Sequence, residues 1–285
     1  MPSRSDTPRQ SWHGQLQLAY TQEHARSVAR FSHNGPLRVL QSLYPEGDAV
    51  CHNVLVHPPG GLVGGDVLDI RIDVASGAHG LVTTPGATRY YRSDDNTATQ
   101  TVSAHVHDHA RLEWLPLETL AYNQCNGINR AVFTLAPQAQ LMAWDITALG
   151  LPTADQPFEQ GQLLQHFEVQ GAWLEKGLIQ GTDKRLLDGP LGFAGHRCSA
   201  TLILARGSEW SVAEREQALE LAREVLQQAS PEVVAGVTAA HPQVVVLRCL
   251  SALVEPAQHT LRAVWAAWRK GMWHLGDAPP RIWAM

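Results

Sequence analysis

His57-Pro58-Pro59-Gly60-Gly61-Leu62-Val63-Gly64-Gly65-Asp66 runs straight into Val67-Leu68-Asp69-Ile70-Arg71-Ile72-Asp73-Val74. Four glycines and two prolines in ten residues force a tight, backbone-determined path, since glycine alone reaches positive φ cheaply and proline fixes its own φ. The residues after the loop alternate. Leu68, Ile70, Ile72 and Val74 share one face and Asp69, Arg71 and Asp73 the other, which is a half-buried strand. A phosphate-binding loop needs its glycines to open a helix, with a Lys following in the P-loop case. No Lys follows and the next segment has period 2, so no helix N-terminus awaits an anion. The loop reads as a turn that reverses the chain and buries Asp66 near its base.

Outward from that stretch, the first two thirds of the chain read as strand after strand. Alternating or apolar runs cover 12–23, 25–31, 37–43, 51–56, 80–84, 97–106, 111–115, 131–135, 140–149 and 162–169. Gly, Pro, Asn or Asp separate them at the spacing of a sandwich, a barrel or a stacked-sheet solenoid, and no fixed-period repeat selects the solenoid. Near residue 197 the texture changes. A buried strand over 198–205 leads to the capping box Ser211-Val212-Ala213-Glu214 and a helical stripe of Ala218, Ala222, Val225, Leu226 and Ala229. Strands follow at 233–238 and 244–250. A second helix begins near Glu255-Pro256, with Leu261, Val264, Trp265, Trp268 and Met272 on its apolar face. This divides the chain into a disordered N-terminus (1–10), a β-rich body (11–196) and a C-terminal strand-helix-strand-strand-helix segment (197–285) packed on the body.

Composition bounds the function. The chain has 285 residues, 44% apolar and 17% charged, with a net charge of −5, so it is globular and mildly acidic. No Lys/Arg run suggests a nucleic-acid partner, and no apolar run approaches the roughly 20 residues that span a bilayer. The polar residues 1–10 read as neither a signal peptide nor a helix, so the expectation is a cytoplasmic protein. Cys51, Cys125, Cys198 and Cys249 form no C-x-x-C pair and are expected as reduced thiols, Cys125 exposed in a polar turn and the other three in the core.

Three sets of residues carry possible chemistry. His105, His107 and His109 alternate, so on a strand all three imidazoles would share a face, as candidate nickel or zinc ligands. Their spacing of about 6–7 Å along a strand is too wide for one ion unaided; a solvated edge is the plainer reading. Asp145 and Glu175 are carboxylates inside apolar runs, which is costly unless they are paired, wetted or functional. Glu113 and Glu118 flank Trp114-Leu115-Pro116-Leu117 and, like Asp145, suit a carbohydrate-active enzyme with paired carboxylates, but nothing in the sequence fixes their separation.

Five segments closely resemble one family. They are His57–Asp66; Thr84-Pro85-Gly86-Ala87-Thr88-Arg89-Tyr90-Tyr91-Arg92-Ser93; Leu112-Glu113-Trp114-Leu115-Pro116; Ala143-Trp144-Asp145; and Pro280-Arg281-Ile282-Trp283. In this order, from about Trp12 to Trp283, they resemble the urease accessory protein UreD family, called UreH in some bacteria. The resemblance implies a mainly β fold of helically wound, stacked sheets, a β-helix-like body, with a small C-terminal α/β segment containing two helices. It implies a non-catalytic scaffold that docks on apo-urease with the accessory proteins UreF and UreG, in a dimeric assembly through UreF. Nickel(II) would be cargo in transit through an internal passage, with no cofactor held permanently.

Carried over motif by motif, the passage residues would be Asp66, Thr88, Asp145 and Glu175. Thr88 stands where the family has Ser, keeping the oxygen but narrowing a passage, and Glu175-Lys176 is the loosest match. Leu151 and Leu117 replace an Arg and a Gln of the family pattern, and the histidine ladder lies outside it. Two rivals predict different things: the carbohydrate-active enzyme needs an open cleft with convergent carboxylates, and a nickel store built on His105, His107 and His109 needs them gathered.

Overall fold

Ala75–Ala78, His107–Ala110 and Ala136–Ala139 are three turns of one kind, stacked on each other. Each closes a hydrogen bond from its fourth N–H to its first carbonyl, over 2.9–3.0 Å, and each ends on a buried alanine. The N–H groups of Arg111 and Gln140 then donate to Ala78 and Ala110 one coil earlier, so the turns continue the sheet ladder. This repeat is invisible as a sequence period because the return segments between coils differ in length. The computed structural model describes residues 11–93, 96–276 and 278–284; the stretch 1–10, expected to be disordered, lies outside the described residues.

The chain opens with an antiparallel pair, β1 (His13–Glu23) and β2 (Arg26–Asn34), then β3 (Arg38–Val39) and β4 (Cys51–Val56). Three coils follow. β5 (Val67–Val74) turns into β6 (His79–Thr83) and returns through β7 (Thr88–Tyr90). β8 (Ala98–Val106) turns into β9 (Arg111–Leu115) and returns through β10 (Thr119–Ala121). β11 (Asn126–Leu135) turns into β12 (Gln140–Leu149), and the hairpin β13 (Gln162–Val169) and β14 (Trp173–Gln180) leads to a short helix α1 (Lys184–Asp188). Then come β15 (Cys198–Arg206), α2 (Val212–Leu226), β16 (Val233–His241), β17 (Val244–Ser251) and α3 (Val254–Trp273).

The strands form two sheets. Sheet A has seven, in the order β14-β13-β11-β8-β5-β1-β2, and sheet B has ten, running β16-β17-β15-β12-β9-β6-β4-β3 with β10 and β7 attached beside β12. Pairing within the coils is parallel, as a wound chain requires, and becomes antiparallel where β15 joins β12. The change of texture at residue 197 is therefore a change of pairing inside one continuous sheet. One apolar core lies between the sheets (Leu18, Ile70, Phe133, Phe167); a second lies between sheet B and α2/α3 (Trp144, Leu202, Trp265, Trp268). Burying such aromatic side chains is worth roughly 2 kcal/mol or more each.

Several sequence expectations shift. Only Arg38–Val39 of the run 37–43 forms a strand, 131–135 is the second half of β11, and β14 and α1 carried no distinct period. Cys125 is 1% exposed, not on the surface, because the turn that holds it tucks under Gly161 and Gln162. Burial pushes its thiol up to about 12. The helical stripe holds at Ala218 and Ala222, but Ala229 lies beyond the end of α2. No helix among the described residues is long and apolar enough to cross a membrane.

Candidate functional site: a polar seam between the sheets

Strands of a two-sheet body point alternate side chains into the interior, so a polar residue on the apolar phase stands out. Sheet A has such a residue at one level in three adjacent strands: Gln100 of β8, Asn129 of β11 and Gln165 of β13 are register partners. Facing them, Thr88 of β7, Thr119 of β10, Thr147 of β12 and Ser199 of β15 are register partners too. An amide ladder on one sheet thus confronts a hydroxyl ladder on the other, inside the molecule.

Asp145 ties the two together. Its Oδ2 accepts from Asn129 Nδ2 at 3.0 Å and its Oδ1 from Thr147 Oγ1 at 3.0 Å. Asn129 also accepts from Gln100 Nε2 at 3.3 Å and donates to Thr119 Oγ1 at 3.4 Å. Among the described residues, no cation partners this carboxylate. Burial, with the Glu175 charge adding to it, raises the Asp145 pKa to about 6 against the hydrogen bonds from Thr147, Gln165 and Asn129.

A cavity opens at each end of the seam. One, of about 230 Å³, is lined by His57, Pro58, Thr84, Thr88, Arg89 and Gln100 among others. The other, of about 190 Å³, is lined by Asp145, Thr147, Gln165, Glu175, Thr201 and Arg248 among others. Glu175 lines the second, accepting from Thr201 Oγ1 at 3.0 Å and from the Arg248 guanidinium. Gln165 Oε1 is buried there without a donor, an unfilled acceptor beside two carboxylates. Oxygen acceptors of this kind suit a hard or borderline divalent cation, held weakly.

The structure therefore joins three of the four residues singled out from the sequence, Thr88, Asp145 and Glu175, along one line. Asp66 lines neither cavity. Its Oδ1 accepts from Trp12 N–H at 2.9 Å and its Oδ2 from Val63 N–H at 3.0 Å, so both oxygens are spent on the glycine turn. The glycines serve close approach: a Cβ at Gly64 would meet Ser93 Oγ at 2.1 Å and Asn96 O at 2.7 Å. Asp66 reaches the site only through its charge, which opposes the lowering of the His57 pKa by burial.

The histidine ladder is not a ladder. β8 stops at Val106, so His107 leaves the strand and His109 sits in the turn at φ 59°. His107 Nε2 bonds Asp73 at 3.1 Å, Asp73 is the register partner of His105, and His109 lines a separate cavity. Among the described residues, no group of three or more His, Cys, Asp or Glu is placed to hold a metal ion.

The carboxylate pair fares no better as an open cleft. Glu113 is 0% exposed and engaged by Trp265 Nε1 at 2.5 Å, His79 at 2.8 Å and Arg269 at 3.3 Å. Gln100, Thr119, Asn129, Thr147, Gln165 and Ser199 escaped sequence reading. Their signal was parity: each falls on the apolar phase of its strand, as Asn129 does with Ala131 and Phe133.

Fold and seam together define a wound β scaffold whose polar groups form a line through the body. The chain matches the family model "UreD urease accessory protein" over residues 13–284. It is 58% identical over 274 residues to the urease accessory protein UreD of Verminephrobacter eiseniae, with 96% of this chain and 99% of that one covered. It is 56% identical to those of Variovorax paradoxus and Paracidovorax citrulli, again over 96% of the chain. This chain belongs to the UreD urease accessory protein family.

Proposed function

We propose that this chain is a cytoplasmic urease maturation factor, without a reaction of its own, that docks on apo-urease with UreF and UreG and passes nickel(II) along the seam. The observation that carries this reading is the pair of facing polar ladders bridged by Asp145 and ending in two cavities. A transit route needs exchangeable ligands, and amides, hydroxyls and isolated carboxylates bind nickel far less tightly than a closed set of imidazoles or thiolates. With its pKa near 6, the Asp145 carboxyl exchanges readily between proton and cation near neutral pH. Family membership supports the urease-directed part of the reading.

The test is co-expression of the urease structural and accessory genes with this chain intact, with Asp145→Asn, or with Asn129→Leu, which puts an apolar block mid-seam. Nickel content of purified urease is expected to fall about tenfold or more in both variants while the complex still co-purifies. Full nickel loading in both variants would remove the seam from the mechanism. Full urease activity in cells lacking the chain would remove the maturation role itself.

A further inference from the structure

By its sequence β16 is a strand covered on both faces. Val233–His241 is Val-Val-Ala-Gly-Val-Thr-Ala-Ala-His, 9 residues without an acid, a lysine, an arginine or a proline. A strand with one solvated face alternates apolar with polar, as β5 does with Asp69, Arg71 and Asp73. In β16 both phases are small or apolar. Val233, Ala235, Val237 and Ala239 are half-buried against the core under α2 and α3. Val234, Gly236, Thr238 and Ala240 are exposed, Val234 at 60%, and a Cβ built at Gly236 would meet nothing within 4 Å. Among the described residues, nothing covers this second face.

The open face looks towards sheet A, because its register partners on β17 do. Thr238 pairs with Val246, which lies in the core between the sheets, and Val234 and Gly236 pair with Leu250 and Arg248. Sheet A stops short of them at β14, whose Glu175 bonds Thr201 of β15 and Arg248 of β17. Sheet B therefore projects beyond its partner by β16 and part of β17. The outer edge of β14 is the wall of a step, and β17 and β16 are its floor. Strands about 4.8 Å apart make that floor about 10 Å wide, the diameter of one helix. On their other face the same two strands already carry a helix, α2. A strand added at the edge of β16 would extend the open face and leave it uncovered.

The corner of the step is basic. Arg248, its side chain 57% exposed, and the exposed Lys176 both line the cavity that ends the seam. Glu175 is the acid beside them, and it is already bonded to Thr201 and Arg248. In a chain of net charge −5, that is a local surplus of positive charge.

We propose that this step is the docking groove for an amphipathic helix of a partner protein. Its apolar face lies on Val234, Gly236, Thr238 and Leu250, and a carboxylate at its border reaches Arg248 and Lys176. The inference rests on the reading of this chain as part of a urease-activating assembly, and it sets the partner's helix at one mouth of the seam.

The test uses the tagged full chain co-expressed with the urease structural and accessory genes, with each recovered protein quantified. Gly236→Arg puts a charge on the floor where a side chain meets no neighbour, and Val234→Glu puts one of opposite sign beside it. Both are expected to lower recovery of one protein of the urease system about tenfold or more, with Gly236→Ala unchanged. Circular dichroism of all three should match that of the intact chain. The photo-cross-linker p-benzoylphenylalanine in place of Val234, Gly236 or Thr238 is expected to trap that same protein, at positions three and four residues apart. Undiminished recovery of every partner with Gly236→Arg would overturn the groove, as would cross-links to a second copy of this chain. Cross-links at every second residue of the partner would mean a strand and overturn the helix. An intact chain that recovers none of these proteins would overturn the assembly reading, and this inference with it.

Discussion

Glu46 and Glu113 on the helix side of sheet B and Asp145 on its seam side follow opposite electrostatic rules. On the helix side, Arg269, itself 0% exposed, holds Glu46 through two nitrogens at 2.8 and 2.9 Å and approaches Glu113 at 3.3 Å. His52 bonds Glu46 and His79 bonds Glu113. Burial works against both charges, yet these partners prevail: Glu46 is held at about 2 and Glu113 below its ordinary value. On the seam side, Asp145 has hydrogen-bond donors but, among the described residues, no cation, and burial carries it up to about 6. A carboxylate that is fully compensated is architecture, clamping α3 to β9 and to the loop before β4. One left uncompensated beside a cavity is poised to take a proton or a cation.

Breaking the clamp is expected to have the largest effect. Arg269→Met strands Glu46 and Glu113 as buried charges, costing about 3–5 kcal/mol. Denaturant unfolding should show that loss, and urease activation should fall only in step with the folded fraction. A midpoint within about 1 kcal/mol of the intact chain would make the cluster dispensable.

The pH response sharpens the contrast, because the two groups have opposite signs. With a folded pKa above its ordinary value, Asp145 costs stability when ionised, and that cost is relieved as pH falls through about 6 towards 3.8. Glu46 contributes stability above 4.5 that is lost as pH falls from there to about 2. Asp145→Asn should therefore be more stable than the intact chain at pH 7, by about 3 kcal/mol, and should converge with it below pH 4. A difference that stays constant between pH 7 and pH 4 would refute an elevated Asp145 pKa.

Asp66 sits between the two kinds, a carboxylate spent on backbone donors. Asp66→Ala leaves two N–H groups unmatched, for about 1–3 kcal/mol. Nickel loading of urease by this variant should recover at lower growth temperature, as a purely structural loss does; loading that stays low while the chain is fully folded would put Asp66 in the passage.

Much of this molecule was readable residue by residue. Period 2 in Val67–Val74 and the glycine turn before it announced a half-buried strand of a β-rich body, whose winding only the family resemblance implied, and Ser211 and Glu214 form the expected capping box. Asp145 and Glu175 were conspicuous as carboxylates in apolar runs. Glu113 was equally conspicuous but belongs to the clamp, because its partners His79, Trp265 and Arg269 come from β6 and α3, far along the chain. The histidine spacing misled because alternation counts only while the strand lasts, and β8 ends at Val106.

Local pattern, then, determined the strands, their turns, the two long helices and which residues face inward, since period and turn chemistry act over a few residues. Register decided the rest. The lengths of the return segments set which residue of each coil lies beside which. Only the wound structure could align Gln100, Asn129 and Gln165 opposite Thr88, Thr119 and Thr147, or give Arg269 to Glu113 and the neutral donors of Asn129 and Thr147 to Asp145. Electrostatic compensation depends on neighbours within a few ångströms, and here those neighbours are brought together by tertiary packing.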